Sequence, residues 1–227
     1  MRRSGLTVAL GVVLPVALGL LILWAEADTG RAGPGVAVGL LLSTLMALTA
    51  YVSATTTLAA RRQQSVLRRL RNSGASDTAI LTGTLVPSAM LSVAQTVVLL
   101  GVVAAADGLG GVAAVPLVLA VMTGTAVACA FAALTAAFTS APELAQLTTT
   151  PIALAFLGGA LWTAQTPPGE VTWMMLSLPG AAVTQLARIA WQEPGAGGLL
   201  PAVVPLALAA VAAVGTASRV FTWDLRR

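Results

Sequence analysis

The chain has no lysine, no histidine, a single cysteine and little charge of either sign: only 9% of its 227 residues are charged. Each scarcity excludes something. A P-loop needs its lysine against the nucleotide phosphates, so this chain cannot hydrolyse a nucleotide by that route. Without histidine, and with Cys129 alone, the common zinc clusters and Cys/His nucleophile pairs are excluded. One cysteine makes no internal disulfide; Cys129 sits among Ala and Val and is expected to be a small buried hydrophobe. A soluble domain carries roughly 25% charged residues. The present composition, 57% hydrophobic, is that of a membrane protein. The net charge of +4 does not point to nucleic acid, because the arginines lie at the ends of long apolar runs, as membrane topology requires.

What is present is a series of uncharged windows. A helix needs about 20 apolar residues to cross the hydrocarbon core. Six windows reach that length, giving expected spans near residues 6–24, 35–60, 79–106, 112–138, 144–164 and 199–219. The expected fold is therefore an all-α integral membrane protein, one transmembrane domain over residues 1–227. A further window around 171–187 is short and contains Pro179-Gly180. Backbone freed by such a break must be satisfied inside protein or by water, so residues 167–192 are expected as a re-entrant or interfacial segment. With both termini cytoplasmic, Arg2, Arg3, Arg61, Arg62, Arg68, Arg69, Arg71, Arg219, Arg226 and Arg227 fall inside, and Arg31 and Arg188 outside. That asymmetry sets the expected orientation in the cytoplasmic membrane. The opening "MRR", an apolar run and "AEA" are similar to a secretory signal, but the run exceeds the ~7–15 residues of a signal core and is expected to stay as the first span. The small residues of "GTAVACAFAALTAAF" in the fourth span would allow close helix packing.

The segment "RRQQSVLRRLRNSGASD" carries five of the twelve arginines. Placing them at the bilayer centre would cost roughly 12–17 kcal/mol, so the segment lies at the cytoplasmic surface between spans two and three. At helical spacing Val66, Leu67 and Leu70, with Gln63, share one sector, and all five arginines lie outside it. A short amphipathic helix over 61–72 follows. Asn72-Ser73-Gly74 ends it, and Ser76-Asp77 caps the next helix. Two uses remain open. The helix is a topology anchor, with arginines on anionic headgroups and leucines in the interface, or it docks its stripe into a cytoplasmic partner.

This layout resembles the membrane subunit of ATP-binding-cassette exporters of the second permease type: two spans, a segment "RRQQSVLRRLRNSGAS", a long third span and three more. The resemblance implies that the segment is a coupling helix docking on a nucleotide-binding ATPase subunit, with Arg61, Arg62, Val66, Leu67, Arg68, Arg69, Leu70 and Arg71 as its contact residues. It implies that ATP and Mg²⁺ are bound by that partner, and that this chain holds no cofactor itself. Ser140-Ala141-Pro142-Glu143 has capping-box spacing at the start of the fifth span on the inner side, and the resemblance implies Ser140 and Glu143 as a second cytoplasmic contact. The ending "RVFTWDLRR" and the proline-broken outer loop also have counterparts in the family. Trp173 and Trp191, suited to the membrane–water interface, and Pro179 would belong to an outer gate. The chain departs from the family pattern in places. The amphipathic elbow helix is expected to be missing or very short. Gln63-Gln64 and Gly74-Ala75 stand where an acidic residue and a proline are frequent.

A pump with this composition draws its energy from a separate ATPase chain. A proton-driven transporter normally has ionisable residues in the membrane interior. Here Asp107 and Glu143 lie at span ends, where a turn and a helix start account for them. The hydroxyls of "SATTT" (53–57) and "TTT" (148–150) are available to a substrate or to their own helix carbonyls. An interior without charge suits a hydrophobic or amphiphilic substrate, on a path formed with a second permease copy or a homologous permease chain among membrane lipids. Two other classes stand beside the exporter subunit: a non-transporting scaffold, assembly or immunity factor, and an intramembrane enzyme, for which no nucleophile–base pair stands out.

Overall fold

The computed structural model describes residues 13–29, 33–64, 74 and 76–220, and every regular element among them is helical. Helix α1 is Leu14–Thr29. Helix α2 is one continuous run, Pro34–Gln63, and α3 is Asp77–Asp107. Helix α4 is Ala114–Phe138, and α5, Ala145–Ala164, follows a 3-10 turn, Pro142–Leu144. Another 3-10 turn, Pro168–Glu170, leads to two short helices, α6 (Trp173–Leu176) and α7 (Pro179–Ala190). Helix α8 is Leu199–Val220.

Five helices (α2, α3, α4, α5 and α8) are long and apolar enough to cross a membrane. They match the expected spans two to six. The expected first span overlaps α1, whose described apolar stretch, Leu14–Ala25, is by itself too short to cross a membrane; residues 6–12 of that span lie outside the described part. Local signals account for several helix ends. Ser76 Oγ accepts from the Ala79 amide at the start of α3, with Asp77 in the first turn, as the sequence predicted. Pro34 and Pro179 occupy first positions of α2 and α7, where a missing N–H leaves nothing unsatisfied.

Helix α2 is the axis of the bundle. In its apolar window 83% of residues are buried, against 17% in α8. Leu41, Leu42, Leu45, Met46 and Tyr51 are fully enclosed. Its middle, Met46–Val52, is wound as a π-helix, so the Ser53 amide reaches back to Leu48 O. The wider turn is buried against α3, α4 and α5. Just beyond it, the threonines of "SATTT" bond to their own helix: Thr55 to Tyr51 O, Thr56 to Val52 O and Thr57 to Ser53 O, at 2.8–2.9 Å. Thr149 and Thr150 do the same in α5. Of the two uses open to these hydroxyls, the structure has them closing their own helices.

The Pro179-Gly180 pair is the start of a helix. Helix α7 has eleven of its twelve residues buried, wedged among α2, α4, α5 and α8. Glycines permit the fit. A methyl group at Gly180 would overlap the carbonyl oxygen of Phe156 on α5, and one at Gly39 of α2 would lie 2.7 Å from Thr184 on α7. The small-residue run of α4 is used in the same way: Ala120, Ala128, Ala132 and Ala136 are buried, and Gly124 lies against Met46.

A Gly180→Ala substitution is therefore expected to destabilise the fold by about 1–3 kcal/mol through overpacking. Gly101→Ala, on an open helix face with nothing within 4 Å, should be neutral or stabilising. Thermal unfolding in detergent, followed by tryptophan fluorescence, separates the two.

Candidate functional site

The bundle has two ends, each marked by a buried arginine. At one end α2 closes with Arg61 and Arg62, cations at a helix C-terminus. The Arg62 side chain is 7% exposed, and its Nη1 donates to Ala136 O at 2.7 Å and Ala137 O at 3.0 Å. These carbonyls belong to the last turn of α4, where Ala136 O otherwise accepts from the Thr139 amide at 3.3 Å. Arg61 Nη1 donates to Thr84 Oγ1 of α3 at 3.1 Å. Both arginines thus turn into the bundle and fasten the end of α2 to its neighbours. Val66, Leu67, Arg68, Arg69, Leu70 and Arg71, the rest of the expected coupling helix, lie outside the described residues.

The α4–α5 connection sits at this same end. Ser140 and Glu143 are both exposed there. The expected capping box is not formed. The 3-10 turn opens at Ala141, in extended conformation and with no side-chain cap. Pro142 takes the first helical position and brings no N–H, which moves the helix start one residue past Ser140. Thr139 does the fastening instead, with Oγ1 at 2.8 Å from both Thr135 O and Thr148 Oγ1. Arg62 therefore joins the base of one connection to the base of the other.

The opposite end carries Arg188, 3% exposed, in the last turn of α7. Its Nη1 donates to Thr166 O at 3.0 Å, and Nη2 lies 3.5 Å from Ala164 O, so it closes the C-terminus of α5 as Arg62 closes that of α4. Its Nε lies 3.4 Å from Glu193 Oε2. The other carboxylate oxygen sits over the first turn of α2, where a methyl group on Gly33 or Gly35 would stand 2.7 Å from it. Burial pushes the Glu193 carboxyl above its ordinary range, while Arg188 and the amides of Val36 and Gly35 pull the other way. Burial likewise lowers the pKa of Arg188, opposed by Glu193. Gln185 Nε2 donates to Ala196 O at 2.6 Å, Ala113 N to Ala190 O at 2.7 Å, and Gln192 to Gly111 O. The segment around Arg188 thereby gathers the ends of α2, α4 and α5.

The residues expected at an outer gate are spread across this end. Trp173 opens α6 and is 61% exposed; Pro179 is buried at the start of α7; Trp191, at its end, is partly buried. Glu193 and Gln185 were missed by sequence reasoning. The available signal was a lone Arg188 and Glu193, five residues apart, in otherwise apolar surroundings.

Between the ends the interior is nearly free of charge. Its polar pairs are neutral: Thr49 Oγ1 donates to Gln95 Oε1 at 2.8 Å, and Tyr51 Oη meets Thr135 Oγ1 at 3.0 Å. A groove of about 630 Å³ lies between α3 and α4, walled by Val86, Met90, Val93, Met122 and Cys129 among others. Cys129 is accordingly half-buried on a groove wall and not in the core where its neighbours in sequence suggested, because α3 and α4 pack loosely there.

Arg62→Met should remove charge-assisted hydrogen bonds worth about 1.5–3 kcal/mol and lower the unfolding midpoint. Arg61→Met, which loses one bond to a hydroxyl, should cost less. Equal losses, measured by thermal unfolding of the two purified variants, would contradict the clamp assigned to Arg62.

An apolar bundle with its charged fastenings at both ends is the frame of a multi-pass membrane protein. A family model described as ABC-2 family transporter protein matches residues 26–218, which include α2 to α7 entire and nearly all of α8. No curated protein and no solved structure matches the chain. The match covers most of the chain, and with it the resemblance carried by the arginine segment is met: the chain belongs to the ABC-2 transporter family, as a type-2 ABC permease, the membrane component of a transporter and not itself an enzyme.

Proposed function

We propose that this chain is the permease subunit of an exporter that moves a hydrophobic or amphiphilic substrate, such as a drug, antibiotic, lipid or glycolipid, across the cytoplasmic membrane. A separate nucleotide-binding subunit, holding ATP and Mg²⁺, drives it. The substrate path forms with a second permease copy or a homologous chain. The observation that carries the reading, beyond family membership, is the Arg62 clamp. It unites the bases of two connections, residues 61–72 and 139–144, at one end of the bundle, so a partner pressing on either moves α2 and α4 together. The charge-free interior supports an apolar cargo.

In this reading the Arg62 end is cytoplasmic, both termini lie on that side, and the Arg188 end is outer. The distribution of arginines supports that orientation. On a background with Cys129 replaced, impermeant thiol reagents added outside should label Gly30→Cys and should miss Arg3→Cys and Arg226→Cys. Labelling of Arg226→Cys from outside would overturn the orientation.

Docking is expected to depend on the apolar stripe of residues 66–70. A leucine in a desolvated pocket contributes about 1.5–3 kcal/mol, whereas a rim arginine mainly sets encounter rate and salt dependence. Leu67→Asp/Leu70→Asp should release the ATPase subunit in pull-downs from detergent while the size-exclusion profile stays that of the parent. Arg68→Ala should weaken assembly only mildly, with the difference from the parent fading as added salt screens the charge. Full retention of partner and transport by the double variant refutes the coupling assignment.

A further inference from the structure

In the middle of α4 a buried hydroxyl without a partner stands in the wall of an open groove. Many threonines of the spans donate to a carbonyl of their own helix. Thr123 does so to Leu119 O at 2.6 Å, and Thr82, on the α3 wall of the α3–α4 groove, to Thr78 O at 2.7 Å. Thr125, on the α4 wall of that groove, is 6% exposed, and its Oγ1 is enclosed without a hydrogen bond. A helical threonine divides between two χ1 positions, so this hydroxyl is one rotamer step from the groove.

The groove has the size of a ligand site. Its volume of about 630 Å³ falls within the ~300–1,000 Å³ of small-molecule pockets. On α3 it runs from Thr82 to Ala94, about 18 Å at 1.5 Å per residue. Val86, Met90 and Met122 stand exposed along it, so it opens sideways between two membrane-crossing helices.

Depth decides the occupant. Counted from Ala114, Thr125 is the twelfth of the 25 residues of α4, close to the midpoint of a span. The hydrocarbon core holds no water to satisfy a hydroxyl there. A phospholipid filling the groove would bring only methylene groups to that depth, because its oxygens lie in the interfacial layer. An unbonded hydroxyl in apolar surroundings is unfavourable, and one hydrogen-bonding atom on an occupant removes that cost. The occupant that fits is a compact apolar molecule with an oxygen inside its own body.

We propose that the α3–α4 groove is a lipid-facing binding site for a small apolar molecule bearing one carbonyl or hydroxyl oxygen, and that Thr125 recognises that oxygen. Calling such a molecule cargo rests on the permease reading; the site itself rests on the groove and the unpartnered hydroxyl.

Benzophenone is the probe: two apolar rings about one carbonyl, which on irradiation inserts into neighbouring C–H bonds. The full chain in lipid nanodiscs is irradiated with it, and adducts are located by peptide mass spectrometry. Met90 and Met122 should be labelled several times more heavily than Met174, which is at least as exposed but lies outside the groove. Ala126→Phe, filling the groove from an exposed position, should abolish the excess. Thr125→Val, which keeps the shape and removes the oxygen, should raise the concentration for half-maximal labelling about three- to tenfold, as loss of one hydrogen bond implies. Thr123→Val should leave it unchanged. Without the probe, Thr125→Val should unfold at the parent's temperature or above, since it removes an unpaired buried hydroxyl.

Labelling no heavier at Met90 and Met122 than at Met174 means that ordinary lipid fills the groove, and the proposal fails. It fails too if Thr125→Val binds the probe as the parent does, or unfolds at a lower temperature, because the hydroxyl is then already bonded. A dimer linked through Cys129 on oxidation of the parent places a second copy in the groove and overturns the proposal as well. The experiment involves neither ATPase nor transport, so its failure leaves the permease reading standing, and failure of that reading leaves the site standing.

Discussion

A helix that ends inside an apolar bundle must find donors for its last carbonyls, and this requirement places the two buried arginines. Helices α4 and α5 end at opposite sides of the protein, and each end is closed from another helix, by Arg62 on α2 and Arg188 on α7. Arginine suits the task. Its planar fork presents several donors at once, so one side chain reaches two carbonyls and keeps its charge wherever it is buried. Each contact also sets a cation against the negative end of a helix dipole. Because the capping side chain comes from a different helix, satisfying the backbone and fixing the mutual position of two helices become one event.

With the ends fixed in this way, the middle of the bundle can be made of small and apolar residues. Helix α7 slides in beside α2 and α5 where Gly39, Gly159 and Gly180 remove the side chains that would stop it. The hydroxyls in the spans serve mostly to close their own helical turns, and the neutral pairs Thr49–Gln95 and Tyr51–Thr135 join α2 to α3 and α4 without charge. Among the described residues the middle of the bundle carries no Asp, Glu or Arg; the charged fastenings lie at its ends.

Much of this was legible in the sequence, and what was not has an identifiable cause. Long uncharged windows revealed the spans because charge in hydrocarbon is so costly, and Ser76-Asp77 revealed a helix start because capping is local. The inward turn of Arg62 was not legible. Arg61 and Arg62 are adjacent in a basic run, and the carbonyls that distinguish them lie 74 residues further along. The Pro179-Gly180 pair was read as a break within a short apolar window, because both residues weaken a helix interior. At a helix start the same proline is favourable, and the glycine answers to Phe156 on another helix. Ser140 was displaced as a cap by the neighbouring Pro142, a reminder that a capping pattern holds only if its first helical residue is where the pattern assumes. Glu193 faces a helix N-terminus far upstream in the chain, a relation that no window of sequence contains.

The two ends differ in one respect that matters for mechanism. At the Arg62 end the cation meets backbone carbonyls, and neither partner changes charge at any working pH. That fastening is a rigid joint. At the Arg188 end a carboxylate is added to the same arrangement, ion-paired to Arg188 and set over the first turn of α2. Helix α2 connects them: about 45 Å long at 1.5 Å per residue, held at its C-terminal end by its own Arg62 and covered at its N-terminal end by Glu193. Its π-helical turn lies between the two, in the fully buried centre. The two fastenings are thus joined by one continuous helix, with a cation on carbonyls at one end and an ion pair over a helix start at the other.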